Sequence, residues 1–212
     1  MIDPAQRRNA IADALFEVVR DGGFDRVSLA RVAERAGLAI GSVRHFLGSR
    51  EELITFAFDT MTERIEDRVL GHLDSLVADG ALDRMGPAER LAATVDVLSE
   101  LLPLDEPRRA EALVWVEFET AARTEPALAA RSDKAARGSA GLIRQILANA
   151  AGTGTLGAGR DLDVEAARLT ALVDGLTLRG VLHPDLLDPE MSRQVLHTHL
   201  AGLRDPVAQS SP

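Results

Sequence analysis

Apolar residues recur at spacings of three and four along nearly the whole chain, and no long alternating run marks a β-strand. The pattern predicts an all-α protein of about nine helices. The first spans Pro4 to about Asp21, with Ile11, Leu15, Val18 and Val19 on its inner stripe. Gly22-Gly23-Phe24 supplies a glycine stop and an apolar anchor. Ser28 suits the N-cap of a short helix from Leu29 to Ala36; Gly37 breaks it, and a second short helix follows from about Ala39 to Leu47. Ser49-Arg50-Glu51-Glu52 has the form of a capping box and opens a long helix to about Val77, with Leu53, Phe56, Ala57, Met61 and Ile65 on one face. Further helices are expected at about 87–102, 106–123, 126–150, 163–182 and 189–203. Prolines and the glycine-rich 152–159 stretch separate them. The chain thus divides into a three-helix head, 1–48, a larger helical body, 49–205, and a flexible tail, 206–212.

Composition narrows the classes. Zero cysteines among 212 residues exclude disulfides, thiolate metal sites and a cysteine nucleophile. No apolar run approaches the ~20 residues that span a bilayer, and Met1-Ile2-Asp3-Pro4 does not open a signal peptide. A cytoplasmic protein without a membrane partner is expected. The net charge of −9 is unevenly spread: residues 1–50 carry +2 and the remainder −11. An arginine-richer head on an acidic body can meet a polyanion while the body does not.

Two short helices joined by Ala36-Gly37-Leu38 have the dimensions of a helix-turn-helix, whose second helix enters the major groove. Residues 11–53 resemble the DNA-binding head of TetR/AcrR-family transcriptional regulators. The ordered match runs through Ile11, Ala14, Gly23, Ser28, Val32-Ala33, Ala36-Gly37-Leu38, Gly41, His45-Phe46-Leu47, Ser49-Arg50 and Leu53. Leu113–Phe118 and Leu172–Leu176 are similar to the BetI-like branch of that family. The chain departs from the pattern at Arg44, where many members carry tyrosine, at Phe46-Leu47 in place of Tyr-Phe, and at Arg50 in place of lysine. An arginine fork still holds a phosphate.

The resemblance implies double-stranded DNA as a partner. Ser28, Ser42, Arg44, His45 and Arg50 are then candidate phosphate contacts, and Ala39, Ile40, Ser42 and Val43 candidate base-facing positions. Small and apolar side chains there read thymine methyls and groove shape more than guanine edges. Val43 has a packing role as its equal alternative, and Phe46 and Leu47 suit the core.

In the body, 111–118 is apolar nearly all round and must be central. Trp115 and Phe118, with Phe56, Phe58 and Met61 from the long helix, either fill the core or line a cavity for an unidentified small-molecule effector. Glu117 needs an internal arginine or a cationic or hydrogen-bonding ligand. The last two long helices are too apolar for burial on one side. Leu172, Gly175, Leu176, Arg179, Leu196 and Leu200 are candidates for the homodimer interface that the resemblance implies, with Gly175 and Gly180 permitting close approach.

Other signals are set aside. Gly152-Thr153-Gly154-Thr155-Leu156-Gly157 matches G-x-G-x-x-G, yet it follows a helical stretch and not a strand. His197 and His199 face different sides of a helix, so no metal site is expected. No catalytic constellation and no cofactor are expected. The reading is a non-enzymatic, dimeric DNA-binding regulator, most often a repressor in this family, released by a small molecule. Its rival is an all-helical enzyme or non-DNA interaction protein with a degenerate head, supported only by Arg44 in place of tyrosine.

Overall fold

Local signals set most of the helix ends. In the computed structural model, which describes residues 4–204, the helices are α1 (Pro4–Gly22), α2 (Leu29–Arg35), α3 (Ile40–Phe46), α4 (Arg50–Val77), α5 (Ala81–Arg84), α6 (Pro87–Ser99), α7 (Glu106–Ala122), α8 (Pro126–Gly152), α9 (Leu162–Leu182) and α10 (Pro189–Gly202). No strand occurs among the described residues. The one-turn α5 adds to the nine expected helices, and the expected tail at 206–212 lies outside the described residues. Ser28 Oγ accepts the Arg31 amide at 3.3 Å, and Ser49 Oγ accepts the Glu52 amide at 3.1 Å. The Glu52 carboxylate reaches back past the cap to the Gly48 amide at 2.6 Å. Asp161 and Asp188 cap α9 and α10 in the same way, and Pro87 and Pro189 occupy first-turn positions that need no amide donor.

The chain forms two compact units. One comprises the residues up to Arg64 together with Glu106–Asp133. In it α1 packs on both α2 and α7, and α2 packs on α3. Ile11, Leu15, Val32, Leu53 and Phe118 are fully enclosed. Arg64 lies over the Phe16 ring at 4.9 Å and donates to Asp13 at 2.7 Å, which ties α4 to α1. The other unit comprises Ile65–Asp105 and Lys134 onward. Here α10 packs on α6 and α9, around Leu98, Leu147, Leu169, Leu196 and Leu200.

In this second unit the glycine-rich segment after α8 is a turn. Gly154 and Gly159 take φ of +70° and +82°, and the Gly157 amide donates to Leu203 O at 2.8 Å. Arg160 donates to the carbonyls of Leu203 and Gly202 at 2.9 and 3.0 Å, satisfying the open end of α10.

Candidate nucleic-acid interface

The turn between α2 and α3 is a Schellman motif. The Leu38 amide donates to Ala33 O at 2.9 Å and the Gly37 amide to Glu34 O at 3.2 Å, while Gly37 takes φ +64°. That left-handed conformation is cheap for glycine and strained for residues with a Cβ. One residue then sets the rotation of α3: Val43 is fully buried. The opposite face presents Ile40, 44% exposed, with Gly41, Arg44 and His45, residues spaced so that they share one side. Ala39 is exposed at the N-cap and Ser42 is half-buried.

Of the four candidate base-facing positions, Ala39 and Ile40 thus lie at the surface, Ser42 lies at its margin, and Val43 packs inward. Phe46, expected in the core, keeps 41% of its surface exposed and rests edge-on against Phe56, with centroids 6.2 Å apart. Leu47 is half-buried.

The head's arginines sort by partner. Arg35 bridges Glu17 at 3.0 Å and Asp21 at 2.7 Å, stapling α2 to α1. Its hydrogen bond holds the Asp21 carboxyl below the usual carboxylate range. Arg8 pairs with Glu63 at 2.7 Å and lies over Phe56 at 5.4 Å. Arg50 donates to Phe24 O at 2.8 Å. Arg44, exposed on α3, has no carboxylate partner among the described residues. Its charge stands in solvent beside Ile40 and His45, where a polyanion can reach it. A phosphate contact there costs no broken ion pair.

The residues proposed for an effector cavity do not all meet. Phe58 and Phe118 stack with centroids 3.7 Å apart and planes 15° off parallel, both buried. Met61 is also buried, and Trp115 is half-buried. Phe56 instead turns to Phe46 and Arg8. Glu117 has no arginine partner among the described residues: its Oε2 accepts the backbone N–H of Phe24 at 2.9 Å. Sequence periodicity had no means of finding this contact, which spans 93 positions.

The candidate interface residues divide as well. Leu176, Leu196 and Leu200 are buried within the subunit, Leu172 and Gly175 are half-buried, and Arg179 is exposed. A second apolar stripe of α9 remains uncovered: Val164, Ala167, Ala171, Leu178 and Leu182 are exposed, with Gly175 in line. A Cβ built on Gly175 would meet nothing within 4 Å, whereas one on Gly180 would stand 2.9 Å from Pro103 Cγ. Gly180 is therefore the close approach inside the subunit, and Gly175 faces open space.

Residues 11–55 match the family model described as bacterial regulatory proteins, tetR family, and residues 87–205 match the C-terminal model of BetI-type transcriptional repressors. The chain is 30% identical over 202 residues to the HTH-type transcriptional regulator PksA of Bacillus subtilis, covering 95% of this chain and 92% of that protein. It is 26% identical to the HTH-type transcriptional regulator BetI of Escherichia coli K12, covering 92% and 94%. A transcriptional regulator from Rhodococcus sp. Rha1, solved as a crystal structure, shares 30% identity and superposes with a TM-score of 0.72 over 92% of this chain and 95% of the other.

Proposed function

Since this chain belongs to the TetR family of DNA-binding transcriptional regulators, we propose that it acts as a homodimeric repressor of a palindromic operator, released by a small-molecule effector. In this reading residues 1–48 read DNA and residues 49–205 carry the effector and dimer functions. The observation that carries it is the outward face of α3. A buried Val43 and a glycine-made turn present Ile40, Arg44 and His45 together, with the Arg44 charge uncommitted.

Ile40 and Ala39 then meet base edges, where apolar groups favour thymine methyls, and Ser28, Ser42, Arg44 and His45 flank them on phosphates. The exposed stripe of α9 pairs with its copy in a second subunit. Binding both half-sites of a palindrome requires the two α3 helices to lie ~34–36 Å apart, one turn of B-DNA. An effector that favours another separation weakens binding because both helices no longer dock together. We place the effector site beside the Phe58–Phe118 stack, with Met61 and Trp115 as further candidate lining residues. In this reading an effector binds by parting the stacked rings of Phe58 and Phe118. No helix among the described residues is long and apolar enough to cross a membrane, and we read the protein as acting on DNA in the cytoplasm without catalytic activity.

The test is selection of bound fragments from genomic DNA, followed by titration of the selected duplex at several salt concentrations. A palindromic motif bound with a steep salt dependence supports the reading. Binding that is absent, or equal on all sequences, favours the rival of a degenerate head.

A further inference from the structure

The backbone of Phe24 is held at both of its polar groups by side chains from other helices. Its N–H donates to Glu117 Oε2 of α7 at 2.9 Å, and its C=O accepts from Arg50 Nη2 of α4 at 2.8 Å. The same carbonyl takes the Val27 amide at 3.0 Å, and the ring is buried. Phe24 opens a single 3₁₀ turn, Phe24–Arg26, between α1 and α2. Gly23 before it has φ +67°, and a Cβ there would stand 2.9 Å from the Glu117 carboxylate. Glycine is thus required at this position both by its backbone and by the room the carboxylate takes.

We propose that Glu117 and Arg50 are positioning residues: they clamp the Phe24 turn and thereby set the pose in which α2 and α3 meet DNA. The inference rests on the DNA-binding reading above. Val27 is buried and Ser28 caps α2 only four residues after Phe24, and α3 follows through a fixed turn. A rotation of the clamped turn is therefore carried to α3 with little slack. Both bonds are charge-assisted, so each is stronger than an amide–carbonyl bond. Arg50 is assigned to this carbonyl and not to a phosphate. Glu117 belongs to the segment that matches the BetI-type C-terminal model, and its neighbour Phe118 stacks on Phe58. Parting that stack draws on the same turn of α7 that holds Phe24.

The test uses the full-length protein with Glu117→Ala, Glu117→Gln, Arg50→Gln and the Glu117→Ala/Arg50→Gln double variant. Amide exchange at Phe24 is followed in the free protein, and affinity for the duplex selected by the wild type is measured across salt. Glu117→Ala should speed Phe24 exchange by about tenfold or more, and Glu117→Gln, which keeps an acceptor oxygen, by less. Glu117→Ala and Arg50→Gln should each weaken DNA binding by about tenfold with the wild-type salt slope. The double variant should lose less than the product of the two, because both side chains hold one residue.

A slope reduced by ~0.9 per lost contact in Arg50→Gln would place Arg50 on a phosphate and overturn its assignment. Unchanged Phe24 exchange or unchanged DNA affinity in Glu117→Ala would overturn that of Glu117. If Glu117→Ala does not fold, Glu117→Gln is read by the same two measurements. If the wild type selects no DNA site, the DNA-binding reading fails, while Phe24 exchange still accepts or rejects the clamp itself.

Discussion

Replacing Gly175 by leucine separates a surface awaiting a partner from a crowded position within one subunit. Within the subunit a Cβ at 175 has nothing within 4 Å, so the larger side chain meets no obstacle. The substitution also removes a helix-interior glycine, which is worth about 0.5–1 kcal/mol of helix stability. The substitution should therefore not destabilise the isolated subunit.

In the dimer the outcome reverses. Gly175 lies in line with Ala167 and Ala171, small residues that let a facing helix come close. Forcing a leucine into such a contact costs ~1–3 kcal/mol, and an isologous interface repeats the cost on its second copy. The sum, about 2–6 kcal/mol, raises the dimer dissociation constant by roughly 30-fold to more than 10⁴-fold. Sedimentation at several concentrations measures this directly, alongside a circular dichroism melt and operator binding. A folded monomer with weak operator affinity is the expected result. A variant that stays dimeric and binds operator normally would falsify the interface assignment, and a variant whose body unfolds would show that the position is crowded from within. Gly180→Ala is the internal contrast: its methyl meets the Pro103 ring at 2.9 Å, so it should lower the melting temperature without dissociating the dimer.

Three further outcomes are expected. Arg44→Gln should weaken binding about equally on all DNA sequences and lower the salt slope by roughly one per lost phosphate contact, measured by titration across salt; an unchanged slope removes Arg44 from the phosphate set. Ile40→Ala should change the sequence motif recovered by site selection, since a lost methyl contact weakens thymine preference, and an unaltered motif takes Ile40 out of the base-reading positions. Burial, with Arg168 and Arg160 nearby and against the pull of Glu165, holds His199 below its ordinary 6.5, so the folded protein keeps it neutral. Its contribution is complete above that value and is lost as pH falls through 6.5 toward the lower folded value. Melting temperature should thus drop as pH falls below 6.5, less steeply in His199→Gln, and equal slopes in both proteins rule His199 out.

The features legible in the chain alone are those whose physics is complete within about five residues. Ser28, Gly37 and the Ser49–Glu52 box mark helix ends because each joins an amide to a partner about one turn away, and Pro87 and Pro189 mark helix starts because a first-turn position needs no amide donor. A left-handed residue is likewise a local demand, and the ordered run of such signals from Ile11 to Leu53 was enough to indicate the head. Periodicity also identified which residues share a stripe. It does not say what a stripe faces. Val43 and Ile40 are both apolar on one short helix, and only packing against the rest of the head buries the first and leaves the second exposed.

The same holds for α9, where two apolar stripes compete. Leu176 goes inward against a core that includes Leu196 and Leu200, and the stripe through Gly175 stays outside. Gly175 and Gly180 look alike in sequence and differ through Pro103, more than seventy positions away. Glu117 is the clearest case. Its charge announced that burial would require a partner, yet the partner is a backbone amide 93 residues earlier, freed for it by a glycine turn. Long-range pairs of this kind depend on where whole helices lie, and that is decided by the summed packing of their faces, not by any local pattern.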